Sequence, residues 1–174
     1  MKKLNLFKHF GLALSCAALV LISNAAGAAE IHANAGTTFD LIPTAEPGVF
    51  THTVDGIAQV SPIGNCKVHM DVVARFPADP TQPIALSGSL TFTSADGMTT
   101  LNGTVVGGAT GDPANPQEFA NFHYRIRFTG GTGELEGARG PGVIKGAGLF
   151  TSSSSGKSTW TLRGSVSEKG RGGK

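Results

Sequence analysis

Cysteine is almost missing from this chain, with two in 174 residues, and tryptophan and tyrosine occur once each. Charged residues make up only 15 % of it, and no long helix-forming run is present. Each shortage closes off a class. Cys16 sits in an apolar N-terminal stretch, so once that stretch is set aside Cys66 stands alone and no intrachain disulfide can staple the fold. One Trp and one Tyr are too few for a carbohydrate-binding surface built from several exposed aromatics. No G-x-S-x-G elbow occurs and no base lies beside Cys66 in sequence, so hydrolase chemistry has no support. The domain must be held by core packing and backbone pairing.

The N-terminus reads as an export signal. Lys2, Lys3 and Lys8 form a basic start, Phe10 to Ile22 is nearly all apolar, and Ala26-Gly27-Ala28-Ala29 offers small residues for cleavage after Ala28 or Ala29. The apolar run is short of the roughly 20 residues that a membrane-crossing helix needs. A lipid-bearing Cys16 fits poorly, because Ala13 stands three residues before it where leucine is expected. The expected organisation is a signal peptide over 1–29, one domain over 30–167 and a polar tail over 168–174. The product would be periplasmic or extracellular, with no transmembrane segment. Without the three leader lysines, 11 basic residues face 12 acidic ones. No basic excess remains to steer nucleic acid.

Beyond residue 30 the chain breaks into short alternating pieces separated by turn residues, which predicts an all-β fold. Eight strands are expected: Ile31 to Leu41, Val49 to Val60, Cys66 to Phe76, Ile84 to Thr93, Thr99 to Val106, Phe119 to Thr129, Gly142 to Thr151 and Ser158 to Val166. Ala95-Asp96-Gly97 is a hairpin signal, and Gly107 to Pro116 reads as a long surface loop. Phe122, Tyr124, Ile126 and Phe128 fall on one face of their strand, with Asn121, His123, Arg125 and Arg127 on the other. Val68, Met70, Val72, Ala74 and Phe76 alternate in the same way with Lys67, His69, Asp71, Val73 and Arg75. With no helix to cover the apolar faces, the strands require a closed barrel or a two-sheet sandwich. Cys66 opens such an alternating run and is expected to be buried.

Between two of these strands lies the glycine-rich stretch Phe128 to Gly142, F-T-G-G-T-G-E-L-E-G-A-R-G-P-G. A phosphate cradle would need a following helix, and Glu134 and Glu136 would repel phosphate. The glycines instead supply bends and close backbone approach. Leu135 is expected to pack inward while the two glutamates face water. Gly130-Gly131-Thr132-Gly133 followed by Leu135-Glu136-Gly137-Ala138-Arg139-Gly140 resembles the signature of the allene oxide cyclase-like and dirigent-like proteins, in particular their poorly characterised bacterial secreted branch. That resemblance implies an eight-stranded antiparallel β-barrel with a central cavity for apolar small molecules. It makes Gly130, Gly131, Gly133, Gly137 and Gly140 structural turn residues. It transfers no catalytic residue, because the family's working groups lie inside the barrel away from the glycine motif. Barrels of this family often pack side by side, so a homo-oligomer is compatible with it.

The candidates for chemistry are few. His69 and Asp71 share a strand face and would form a general acid–base pair if that face pointed inward; the bland alternative is a solvated outer wall. His123, Arg125 and Arg127 would hold a carboxylate or phenolate under the same condition, or pair with acids on a neighbouring outer strand. Tyr124 and Trp160 are expected in the core or cavity wall. No metal or cofactor is expected: His32 and His52 could meet if the first two strands pair, and Asp112, Asn115 and Glu118 lack calcium-loop spacing. Three functions follow as expectations. The first is non-enzymatic binding of a small apolar ligand or a protein partner. The second is a cyclase- or dirigent-like guide of an unstable intermediate, so catalysis is left open. The third is a solid structural envelope protein.

Overall fold

The computed structural model describes residues 28–111 and 118–167, without the side chains of 118–120. Eight strands run β1 Ala29–Pro43, β2 Val49–Ser61, β3 Gly64–Arg75, β4 Ile84–Ser94, β5 Thr100–Ala109, β6 Glu118–Gly131, β7 Gly140–Phe150 and β8 Ser155–Val166. Each pairs antiparallel with its sequence neighbours, and β8 closes on β1. The result is an up-and-down barrel with no free edge. A single helical turn, Gly133–Leu135, interrupts this pattern among the described residues.

Side-chain alternation drives the closure. In β3 every second residue from Cys66 to Ala74 is buried, while Lys67, His69, Asp71 and Arg75 are exposed. An eight-stranded barrel is just wide enough for its side chains to fill. Here the filling is tight at the end where β3 starts and β6 finishes. Phe92, Phe128, Leu101, Leu162 and Val68 are fully buried there, and Leu135 and Ala138, from the glycine-rich arm, belong to the same buried cluster. Cys66 is a buried free thiol, and burial pushes its pKa up.

The glycine-rich arm turns between Thr132 and Ala138, while Gly130 and Gly131 end β6 and Gly140 begins β7. Gly133 and Gly137 have φ of 60° and 72°, which side chains rarely adopt. A Cβ on Gly131 or Gly140 would run into the backbone carbonyl of Thr100 or Ser165. Leu135 is buried, and Glu134 and Glu136 are exposed.

Several strand boundaries lie two or three residues from expectation, and the one at Gly107 bears on the site. Gly107 does not begin a loop, since β5 continues to Ala109 with Gly107 opposite both Leu86 and Tyr124. A Cβ at Gly107 would strike the His123 carbonyl and Tyr124 Cα, so glycine here marks close strand approach rather than irregularity. Residues 112–116 of the expected loop, with Asp112 and Asn115, lie outside the described residues, as do leader residues 1–27, the tail from 168 and the Glu118 side chain. The barrel's first strand begins at Ala29. Among the described residues no helix is long and apolar enough to cross a membrane.

Candidate functional site

The opposite end of the barrel is less completely filled. There the C-terminal ends of β1, β3, β5 and β7 meet the N-terminal ends of β2, β4, β6 and β8, and a cavity of about 40 Å³ opens among their inner side chains. By the rule that one water needs roughly 10–15 Å³, this is room for a few small atoms. Its floor and walls include Val54, Met70, Leu86, Ile144, Trp160 and the buried Phe39, and the half-buried Phe76 and Phe122 stand nearer the rim. The rings at this end interlock edge to face: Phe39 with Phe150 at 5.3 Å, Phe50 with Phe76 at 5.0 Å and Phe122 with Tyr124 at 5.8 Å.

Three polar side chains reach this apolar lining: His52, Tyr124 and Ser158. Ser158 is satisfied, its Oγ lying 2.6 Å from the Thr37 hydroxyl. His52 is not. Both imidazole nitrogens are shut off from solvent, and no hydrogen-bond partner reaches either one among the described residues. Desolvation lowers its pKa from 6.5 to about 4, so the ring is neutral at ordinary pH. The Tyr124 phenol is driven well above its usual range by the same cause and also stays neutral. Among the described residues, the lining contains no Lys, Arg, Asp or Glu.

Local sequence explains how His52 comes to be inside. In Phe50-Thr51-His52-Thr53-Val54 it keeps step with Val54, which is buried, and pairs across the sheet with Leu41 and Val72, which are buried too. Tyr124 is on the apolar face of β6, opposite Gly107 and Ile144. Trp160 is on β8, opposite Ala35 and Gly146.

The remaining candidates face outward. His69 is exposed and bridges two carboxylates: Nδ1 lies 2.7 Å from Asp55 Oδ1, and Nε2 lies 3.1 Å from Asp71 Oδ2. The hydrogen bond with Asp55 is the main cause that raises its pKa. His123, Arg125 and Arg127 are exposed on the outer wall of β6. Arg125 faces Val106 and Val143 across the sheet and Arg127 faces Thr104 and Pro141, so neither stands opposite an acid. The first two strands do pair, but His32 lies opposite Ser61 and His52 opposite Leu41, which keeps the two histidines at different ends. Among the described residues no group of three or more His, Cys, Asp or Glu is placed to hold a metal ion.

Of the residues singled out in the sequence, then, the cavity gathers Tyr124 and Trp160. It adds His52, which had entered only as a metal candidate. The chain matches no protein-family model, no curated protein and no solved structure. What stands is the closed, eight-stranded antiparallel barrel itself.

Proposed function

We propose that this protein is an exported barrel of the allene oxide cyclase-like and dirigent-like type that binds a small, mainly apolar molecule in the open end of its barrel without transforming it. The observation that carries the reading is the cavity: an apolar, aromatic-rimmed hollow at one end of an otherwise filled barrel. Pockets for small molecules are typically concave and apolar with a few placed polar groups. The free space is small, so a guest enters by one end, and its remainder lies among the rim phenylalanines after they turn outward. The leader-like N-terminus supports the exported location.

Trp160 is the only tryptophan and lines the cavity, so its emission reports directly on occupancy. Titration with toluene, naphthalene and octanol should give a saturable change for at least one of them, with the matching adduct in native mass spectrometry. Strictly linear, non-saturating responses and a bare chain in the spectrometer would reject the reading and favour a solid structural barrel.

A second reading has one observation of its own. His52 and Tyr124, both capable of moving a proton, line the same hollow. A cyclase- or dirigent-like role would appear as conversion of a bound unsaturated guest during incubation, where a carrier returns it unchanged.

A further inference from the structure

We infer that His52 is the hydrogen-bonding anchor of this cavity, and that the molecule it selects is uncharged and enters with a hydroxyl group, as a phenol or an alcohol. This rests on the binding reading above and names its ligand class.

The argument begins with an unsatisfied group. A buried donor or acceptor left without a partner costs about 1–3 kcal/mol, and native proteins rarely leave one so. His52 has two such atoms, both closed to solvent and without a partner among the described residues, on the wall of the hollow proposed to hold the guest. Its neighbours cannot satisfy it. Leu41 and Val72 flank it across the sheet, and the Phe39 ring meets it edge to face at 5.4 Å.

The chemistry of the guest follows from the chemistry of the ring. A neutral imidazole presents one N–H donor and one bare nitrogen acceptor. A hydroxyl is both donor and acceptor, so it can pair with whichever nitrogen it meets. Tyr124 lines the same cavity. A hydrocarbon would leave the imidazole as it is. A carboxylate would bring a charge among described lining residues that include no cation, since Arg125, Arg127 and His123 are exposed on the outside. Burying that charge unpaired is far costlier than burying a hydroxyl. An ammonium meets the same barrier, with no carboxylate among the described lining residues to receive it.

Three probes of nearly one shape isolate the head group: phenol, toluene and benzoate, each followed by Trp160 emission and by ligand-observed NMR at neutral pH. Phenol should bind about tenfold tighter than toluene, the worth of one hydrogen bond, and benzoate should not bind measurably. His52→Leu should erase the preference for phenol while toluene still binds. His52→Gln, which keeps a donor and an acceptor, should retain part of it, and serves in place of His52→Leu if that variant does not fold. Equal binding of phenol and toluene, a phenol preference that survives His52→Leu, or tighter binding of benzoate would each overturn the assignment to His52 and leave apolar binding intact. Saturable binding of none of phenol, toluene, naphthalene and octanol would remove the binding reading itself, and this inference with it.

Discussion

The edge of the Phe39 ring meets the imidazole of His52, centroids 5.4 Å apart and planes at 84°. An aromatic wall on one side and aliphatic neighbours on the others are what make protonation of this histidine costly. Among the described residues, no other ionisable side chain but Tyr124 lines the cavity. The sign of the pH effect follows. The folded pKa, about 4, lies below the ordinary histidine value of 6.5, so between those values the unfolded chain binds more protons. Stability from this source is complete above about pH 6.5 and is lost as pH falls towards 4, by about 3 kcal/mol in all. Urea unfolding of the wild type and of His52→Leu across that window should show the gap between them moving in favour of the variant as pH falls. A constant gap would mean that the imidazole is not desolvated.

His69 has the opposite sign. Held between Asp55 and Asp71, it has a raised pKa, so its contribution is present below about 6.5 and disappears as pH rises through the folded value. Because all three side chains are largely exposed, the pair energy is small, of the order of 0.2–1 kcal/mol. Imidazole NMR titration should place His69 above an ordinary histidine, and Asp55→Asn should lower it more than Asp71→Asn. If neither substitution moves it, the bridge does not persist in solution.

These two histidines also mark how far the sequence could be read. Alternation in β3 and β6 was unambiguous, because a period of two separates greasy from polar residues and a closed barrel leaves only one inside. The same rule placed Tyr124 and Trp160 on the inner side. It would have placed His52 there as well, since His52 is in phase with Phe50 and Val54, but the threonines around it blur the contrast between the two faces of β2. Gly107 reads as the start of a loop for a related reason. Glycine signals a turn and a tight strand crossing alike, and only the partner strand, here His123 and Tyr124, distinguishes them. Which end stays open depends on side chains meeting from all eight strands, and no local pattern carries that.

Gly146 tests whether inward glycines make room for the aromatic side chains. A Cβ there would come within 2.6 Å of the Thr159 carbonyl, Trp160 Cβ and the Phe122 ring. Gly146→Val should therefore cost about 1–3 kcal/mol and shift Trp160 emission. Gly36 on β1 has nothing within 4 Å of the same position, so Gly36→Ala should change stability by less than about 1 kcal/mol. Chemical denaturation of both variants checks the contrast, and equal costs would remove the steric argument.

Leu135 separates the two ends of the barrel. It is buried in the arm that joins β6 to β7, at the end away from the cavity, and it does not contribute to the cavity lining. Leu135→Ala removes a packed side chain from the filled end, at a cost of about 2–5 kcal/mol. Because the hollow is built from residues at the other end, the response of Trp160 emission to toluene should keep its midpoint in the folded variant. Thermal unfolding and the titration, run on the same sample, give both numbers. A variant that loses stability and keeps its midpoint would establish that the filled end carries the fold while the open end carries the binding. A midpoint that moves with stability would mean that the hollow depends on the packing of the whole barrel.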